Sequence, residues 1–369
     1  MKNDLYDNIV GLVVSMRRDG SSYMEVSDAI METYNQRYTP DGVRSIWRRN
    51  REDVPEQADD SLLERTAEAI SNNKGWSFPE ICKAMRDGQQ LQQSFDKRQY
   101  EAKVAVDTSK PIAITFVSDV HFGNQHTDYE AFERDIATIV ESPDVYLFKG
   151  GDWPDKFMPT FKDGTAVLGQ LTPPQTQVLI IEKMMDYLGD KILVAIGGNH
   201  DKMDEKLTGI SSEYMIHKGK PFPYLHEGGL IKLLVGKTSY NFLWKHHYRF
   251  NSSVNQFNSH HRMLEQLYPD TDIVVTEHEH NPGIEVVEKY EYDARRQVVN
   301  IRTGTYKIDD PYSMARWKAG RPGPQTVVLF PDQKKIVPFT GGDAINDAKK
   351  YIAGQETHSD KNHRSGVSR

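Results

Sequence analysis

Cysteine is almost absent from this chain, which has one, Cys82, among 369 residues. A single cysteine excludes an internal disulfide, so we expect a reducing, cytoplasmic compartment rather than a disulfide-stapled secreted domain. No apolar run reaches the length that crosses a bilayer. The N-terminal segment MKNDLYDNIV also lacks the basic start and apolar stretch of a signal peptide. The sequence therefore predicts a protein without a membrane partner.

An excess of positive charge is missing as well. The formal net charge of −7 argues against a globally basic nucleic-acid-binding protein, although it leaves room for a local basic patch. Hydrophobic residues make up 37% of the chain and charged residues 27%, which is ordinary for a globular protein. A chain of this length can bury a large core and is expected to contain more than one domain.

A short motif, Asp119-Val-His121, provides the first candidate for chemistry. It follows Ile112–Val117, an apolar and β-branched run of strand length bounded by Pro111 and Gly123. Residues two apart on a strand project toward the same side, so this carboxylate and imidazole can reach one ion at the strand's exit. Such a pair arises often by chance, and its significance depends on the rest of the chain.

Four further polar blocks follow, each directly after a predicted strand. The blocks are Lys149-Gly-Gly-Asp152, Gly197-Gly-Asn199-His200-Asp201, His246-His247 and His278-Glu-His280. The preceding strands are predicted at Val145–Phe148, Ile192–Ile196, Tyr240–Trp244 and Asp272–Thr276. Ligands of open α/β sheets bind beyond the carboxyl ends of the strands. We therefore expect these oxygen and imidazole donors to gather at one edge of a sheet.

The order of the five blocks, D-x-H, GD, GNHD, H and H-x-H, resembles that of the calcineurin-like metallophosphoesterases over about Pro111 to Phe339. The resemblance implies an α/β fold, the α-β-β-α sandwich of two packed mixed sheets flanked by helices. The chain fits this, because predicted helices alternate with strands early and strands dominate later. The resemblance also implies an enzyme that hydrolyses phosphate esters with two divalent metal ions.

Asp152 is the best candidate for the carboxylate that bridges two ions, since Gly150 and Gly151 before it let the backbone pass close by. By the resemblance, the first ion would be held by Asp119, His121, Asp152 and His280, and the second by Asp152, Asn199, His246 and His278. A mixed nitrogen and oxygen set with an amide oxygen suits Mn²⁺, Fe or Zn²⁺ better than Ca²⁺. The resemblance to the family adds a preference for Mn²⁺, with Fe and Zn²⁺ as alternatives.

His200 is the candidate catalytic acid. In the family, the histidine after the asparagine ligand gives a proton to the leaving oxygen. It is oriented by the next residue, which is Asp201 here. A carboxylate partner raises the pKa of an imidazole.

Two departures from the family are visible. Glu277 stands where the family usually has glycine, and adds negative charge near the ions. His247 stands where glycine is common, so His246 is favoured as the ligand and His247 is the alternative.

Residues 1–57 are predicted to form a small helical domain. Capping signals at Ser22 and at Thr39 start its second and third helices. The third helix carries an arginine stripe away from its apolar side, formed by Arg44, Arg48 and Arg51. Three short helices ending in such a stripe resemble a helix-turn-helix domain, which makes nucleic acid the predicted partner. The alternative is a solvated face on an assembly bundle.

Four segments follow from these patterns: a helix-turn-helix-like domain at 1–57, a second helical unit and linker at 58–105, the catalytic domain at 106–342 and a polar, flexible tail at 343–369. Three functions are compatible with them. The favoured one is a phosphodiesterase or nuclease that acts on nucleic acid. A phosphatase or small-molecule phosphodiesterase that assembles through its N-terminus is the alternative. A DNA-binding regulator with a decayed hydrolase domain is disfavoured, because every ligand type is present. The sequence does not determine the oligomeric state.

Overall fold

The computed structural model of the chain describes residues 2–50, 77–95, 99–156, 168–252, 254–291, 294–308 and 323–365. The chain divides into two compact units, residues 1–97 and 98–369. Arg51 lies outside the described residues, as does the helix predicted around Leu62 and Ile70.

Helices make up the described part of the N-terminal unit: α1 (Lys2–Arg18), α2 (Tyr23–Tyr34), α3 (Pro40–Asn50) and α4 (Phe78–Phe95). The first three pack around one apolar core, formed by Ile9, Val13, Val26, Ile30, Val43, Ile46 and Trp47. Ser22 and Glu25 form the expected capping box at the start of α2. The Thr39 hydroxyl accepts a hydrogen bond from the Gly42 N–H at the start of α3. Both predicted helix starts are confirmed.

The second unit contains strands β1 (Glu101–Val106), β2 (Ile112–Val117), β3 (Val145–Lys149), β4 (Ile192–Ile196), β5 (Tyr224–Leu225), β6 (Gly228–Val235), β7 (Thr238–Lys245), β8 (Ile273–Thr276), β9 (Gly283–Glu291), β10 (Ala294–Arg302), β11 (Gln325–Leu329) and β12 (Ile336–Phe339). Its helices are α5 (Tyr129–Glu141), α6 (Pro174–Leu188), α7 (Met203–Thr208), α8 (Ser212–His217), α9 (Asn258–Gln266) and α10 (Ala344–Ser365). Strands and helices alternate in its first half, as the sequence predicted.

Two mixed sheets of six strands form the centre of this unit. One has the order β12-β11-β2-β3-β4-β5, with β2 to β5 parallel and β11 antiparallel to its neighbours. The other has the order β1-β6-β7-β8-β10-β9, in which β7, β8 and β10 are parallel. In the parallel parts, the carboxyl ends of neighbouring strands emerge at the same edge. The polar blocks all follow strands from these parts.

Apolar side chains fill the layers of this sandwich. Between the sheets lies an aromatic centre that includes Phe116, Phe148, Phe242 and Trp244. On the outside, α5, α6 and α10 cover the first sheet, and α9 covers the second. The predicted α-β-β-α sandwich is confirmed. None of the described helices combines the length and apolar character needed to cross a membrane.

Two segments differ from their predictions. Part of the predicted linker forms β1, which pairs in parallel with β6 and buries Ala102 and Val106. Part of the predicted tail forms α10, whose first turns bury Ala344, Ile345 and Ile352 against the first sheet's outer core. The sequence signal was weak in both cases, because few apolar residues are spread among many polar ones.

Candidate metal centre

The five polar blocks lie at the carboxyl ends of β2, β3, β4, β7 and β8. Three of these strands belong to the first sheet and two to the second, so the centre spans the edge of the sandwich. Backbone hydrogen bonds link the loops. The N–H of Asp119 donates to the Gly151 carbonyl over 2.9 Å, and the N–H of His121 to the Asp152 carbonyl over 3.0 Å. Across the sheets, the N–H of His278 donates to Asp119 Oδ2 over 3.3 Å.

Close packing of two glycine-containing loops brings Asp152 beside the GNHD block. A Cβ on Gly151 would lie 2.4 Å from the Gly198 nitrogen, and one on Gly198 would lie 2.1 Å from Asp152 Oδ1. The N–H of His200 donates to the same Oδ1 over 2.8 Å. Only residues without a side chain permit this approach.

Asp119, His121 and His280 form the first group of donors. His121 Nε2 and His280 Nε2 face each other at 3.2 Å, and His280 Nε2 is 3.2 Å from Asp119 Oδ1. Two facing ring nitrogens compete for one proton, whereas a cation between them satisfies both. The residues present therefore fit a metal ion at this point.

Asp152, Asn199, His246 and His278 form the second group. Asp152 Oδ2 is 3.1 Å from His246 Nε2. The Asn199 side-chain oxygen is 3.0 Å from His246 Nε2. It is also 2.7 Å from His278 Nδ1. Acceptor atoms that converge in this way also fit a cation. Asp152 belongs in addition to a cluster with His121 and His200, which puts it between the two groups.

Five of these side chains stand on backbone in the left-handed region. Their φ angles are 48° for Asp119, 52° for His121, 56° for Asp152, 73° for His278 and 54° for His280. Residues with a Cβ seldom adopt this conformation. Backbone strain of this kind concentrates at functional sites, where the surrounding structure holds it in place. The left-handed backbone of these loops therefore sets the positions of the candidate ligand side chains.

The protonation states of three candidate ligands, His121, His278 and Asp119, favour metal binding. Burial lowers the pKa of His121 to about 4 and that of His278 to about 4, so both rings are neutral near pH 7. Burial alone would raise the pKa of Asp119, but the hydrogen bond from His280 and the charges of His246 and His280 bring this pKa down to about 2. Neutral imidazoles and ionised carboxylates are the forms that bind metals.

Glu277, at the position where the family usually has glycine, is buried beside this second group. Its Oε2 accepts hydrogen bonds from the Gly151 N–H at 2.9 Å and from His246 Nδ1 at 2.8 Å. Its Oε1 accepts a hydrogen bond from Trp244 Nε1 at 2.8 Å. Burial raises the pKa of Glu277 to about 7. The pKa of His246 lies well above its ordinary value, because Asp152 and Glu277 outweigh the effect of burial.

His200 lies near a different carboxylate from the one the sequence suggested. Its Nδ1 hydrogen-bonds the Asp155 backbone carbonyl and lies 3.8 Å from Asp155 Oδ1. Asp201 Oδ2 accepts N–H bonds from Asp152 at 2.9 Å and Gly198 at 2.6 Å. The orienting role of Asp201 stays a prediction, and its observed contacts are with backbone. Sequence reasoning missed Asp155, although it lies three residues after Asp152 in the GD block.

Asp155 also supports the first group. Its Oδ1 is 2.8 Å from His121 Nδ1 and 3.6 Å from Lys307 Nζ, and its Oδ2 accepts a hydrogen bond from Asn124 over 2.8 Å. Hydrogen bonding to His121 and the nearby positive charges hold the pKa of Asp155 far below its usual value despite burial. A carboxylate on the second nitrogen of a candidate ligand fixes the orientation of that ring.

The remaining predicted site residues lie elsewhere. His247 is exposed, and its ring centroid is 4.9 Å from that of His278, whereas His246 is buried against Asp152. On α3, Arg44 is exposed, 3.1 Å from Asp41 Oδ1 and 5.0 Å from the centroid of the Tyr23 ring. The backbone of Arg48 continues α3, and its side chain lies outside the described part of the chain.

A family profile agrees with the order of the polar blocks. The calcineurin-like phosphoesterase family profile matches residues 112–328, more than half of the chain. A search among curated proteins found no significant match. Solved structures similar to this chain include Vps29 of Entamoeba histolytica, both a single mutant and the wild type complexed with Zn²⁺. Each has a TM-score of 0.32 and 12% identity, and each alignment covers 62% of this chain and 92% of the other. The solution structure of Thermotoga maritima protein TM1076 gives a TM-score of 0.28 at 12% identity, with 62% and 99% covered.

This chain therefore belongs to the calcineurin-like phosphoesterase family. The catalytic unit is that of a metal-dependent hydrolase of phosphate esters, the class that the order of the polar blocks predicted.

Proposed function

We propose that the chain is a phosphodiesterase that cleaves nucleic acid with two divalent ions, Mn²⁺ before Fe or Zn²⁺. The position of Asp152 supports the proposal of two ions. Its carboxylate lies in one donor cluster with His121 and His200 and in another with His246 and His278. Asp119, His121, Asp152 and His280 would hold one ion, and Asp152, Asn199, His246 and His278 the other. Such a pair supplies an activated water and stabilises charge on the phosphoryl oxygens.

His200 gives the proton to the leaving oxygen in this proposal. Its Nδ1 contacts the Asp155 carbonyl, and we assign the catalytic proton to Nε2. The carboxylate of Asp155 lies 3.8 Å from Nδ1 and places a negative charge beside the ring. Asp201 holds the backbone amides of Asp152 and Gly198, and thereby keeps the two loops in register. His200 and Asp155 are thus assigned to proton transfer, and Asp201 to positioning.

Nucleic acid is favoured as the substrate by the arginine stripe, of which Arg44 is exposed on α3. Arginine side chains on one helical face suit contacts with a phosphate backbone. We propose that the N-terminal helices bind nucleic acid and thereby deliver the catalytic unit, in the cytoplasm, to its substrate.

The two-ion assignment predicts that Asp152→Asn abolishes most activity, because one substitution weakens both groups of donors. Activity on single-stranded DNA, duplex DNA, RNA and bis(p-nitrophenyl) phosphate would fall by at least about a hundredfold. Chelator should stop turnover of the wild type, and added Mn²⁺ should restore it. Asp332→Asn, an exposed carboxylate outside the site, is the matched control. Full turnover after exhaustive chelation would exclude the two-metal interpretation, and turnover of small esters alone would favour the alternative phosphatase.

His200→Ala tests the assigned acid. The variant should retain its metal ions and lose activity by about a hundredfold or more on esters with poor leaving groups, which need the proton. Esters with an activated nitrophenol leaving group should be affected much less. Rates on both ester types, together with metal content, measure this. Equal loss on both types, or loss of metal, would contradict the role.

A further inference from the structure

An exposed phenylalanine between two arginines lies beside the metal centre. The guanidinium carbons of Arg249 and Arg262 are 4.8 Å and 4.7 Å from the centroid of the Phe250 ring, which is 38% exposed. Among the described residues, the structure gives neither guanidinium a hydrogen bond or a carboxylate partner. Two cations near one ring attract it but repel each other. This arrangement is suited to an anion that neutralises both.

The backbone holds the Phe250 ring outward. Phe250 has a φ of 74°, in the left-handed region that bulky residues rarely enter. Asn258, on the first turn of α9, donates a hydrogen bond to the Phe250 carbonyl over 2.7 Å and keeps the turn in place. Strain of this kind persists where a site requires it. A large apolar ring is thus fixed at the surface, where a stacking partner could reach it.

Two connections tie this group to the metal centre. Phe250 follows the candidate ligand His246 by four residues. Asn251, the next residue, donates a hydrogen bond over 2.6 Å to Glu279 Oε1, and Glu279 lies between His278 and His280. A substrate whose phosphate reaches these histidines therefore continues close to Phe250. The group belongs to the rim of the site.

We propose that Arg249, Phe250 and Arg262 form a subsite for the nucleotides next to the cleaved phosphate, and that the substrate class is single-stranded nucleic acid. The inference rests on the proposed function and narrows it. The two guanidiniums neutralise flanking phosphates, and Phe250 stacks on an unpaired base. A base inside a duplex already has its faces covered by neighbouring bases, so it cannot use the ring. A small phosphate ester reaches the metal centre without engaging this subsite fully.

The test uses the full, metal-loaded chain with a fluorescent phosphorothioate oligonucleotide of 15 nucleotides, which resists cleavage, and with its blunt duplex. In fluorescence anisotropy, Arg249→Gln with Arg262→Gln should raise the Kd for the single strand about tenfold or more. The salt dependence should become shallower by about 1.4, since each phosphate neutralised on a single strand contributes about 0.7. Phe250→Leu should weaken binding roughly fivefold or more, with little change in the salt dependence.

Arg295→Gln is the matched control. The guanidinium of Arg295 is 5.3 Å from the Tyr290 ring centroid and has a carboxylate partner, Glu288, at 4.0 Å. This variant should bind the oligonucleotide like the wild type. The control separates the subsite from the general effect of removing a positive charge beside an aromatic ring.

Turnover provides the second readout. The ratio of kcat/KM on single-stranded DNA to kcat/KM on bis(p-nitrophenyl) phosphate should fall about tenfold in the double variant. An unchanged Kd and ratio, an equal loss in Arg295→Gln, or an equal loss of duplex affinity in the double variant would each overturn the subsite. If the wild type cleaves the small ester and ignores nucleic acid, both the subsite and the nucleic-acid half of the proposed function fail. If it cleaves single strands and the variants do so equally well, the subsite alone fails.

Discussion

Glu277 distinguishes this centre from the usual pattern of its family. Its carboxylate receives hydrogen bonds from His246, Gly151 and Trp244, so it connects a candidate ligand, the loop before Asp152 and the sandwich core. A carboxylate on the second ring nitrogen orients a ligand histidine and raises its basicity. We infer that Glu277 supports the second ion through His246, rather than only adding charge near it.

Glu277→Gln should reduce Mn²⁺ affinity at the second group about tenfold to a hundredfold, the usual range for losing such a partner. Calorimetric titration of the metal-free protein should then show one weakened site and one unchanged site. Glu288→Gln removes an exposed glutamate on β9 that pairs with Arg295, and it should titrate like the wild type. Two unchanged sites in Glu277→Gln would mean that the carboxylate serves packing alone.

At the scale of elements, the approach of two loops defines the centre. The loop after β3 and the loop after β4 meet backbone to backbone at Gly151 and Gly198. Neither backbone can move aside as a flexible side chain could. The positions of Asp152 and Asn199 therefore depend on each other through these glycines.

Gly151→Ala should separate these loops, since the new Cβ would lie 2.5 Å from the Gly198 Cα. We expect activity to fall about a hundredfold or more, because reacting groups misplaced by even 1 Å lose about that much. Gly169→Ala is the control, as its added Cβ would meet nothing closer than 3.7 Å. Kinetics and metal content of both variants measure the effect. Wild-type activity in Gly151→Ala would show that the loops tolerate separation.

Strands were easier to predict than the contacts at their ends. The runs at β2, β3 and β4 are apolar and β-branched and end at glycine or polar blocks, so their positions were visible in the sequence. Strand β1 alternates polar and apolar residues over only six positions, and α10 carries few apolar residues, so both resembled solvated chain. The contacts of Asp155 and Glu277 could not be predicted, because they depend on how separate loops fold against each other.

On the scale of the whole molecule, stability should depend on a buried acid that is not one of the candidate ligands. Glu213 on α8 is 1% exposed, and burial together with the charge of Asp201 raises its pKa from 4.5 to about 7. A folded-state pKa above the unfolded value means that the protonated form is favoured by folding. This contribution is fully present below about pH 4.5 and is lost as the pH rises through about 7.

Glu213→Gln should remove this pH dependence. Between pH 5 and pH 8.5, the wild type should lose on the order of 3 kcal/mol more unfolding free energy than the variant. Urea unfolding at several pH values, followed by tryptophan fluorescence, gives the comparison, with Glu133→Gln on the exposed face of α5 as the control. Parallel pH profiles for the wild type and Glu213→Gln would contradict the assignment.

The N-terminal unit should contribute substrate affinity without taking part in the chemistry. Replacing Arg44, Arg48 and Arg51 with alanine should weaken duplex DNA binding and flatten its salt dependence by about 0.9 for each phosphate that is no longer neutralised. Asp41 offsets part of the charge of Arg44 and should limit its contribution. Titrations of labelled DNA at two salt concentrations test this, with hydrolysis of a small ester as the unchanged reference. A changed oligomeric state with intact DNA binding would favour the assembly role.

The left-handed backbone at five candidate ligands has a consequence for laboratory evolution. Glycine adopts these angles without strain and asparagine tolerates them better than most residues, so either would relieve the loops at Asp119, His121, Asp152, His278 or His280. A library screened only for heat resistance should therefore accumulate glycine and asparagine at the positions proposed to hold the metal ions. Selection for thermal stability without a screen for hydrolysis would yield a more stable protein that has lost its activity.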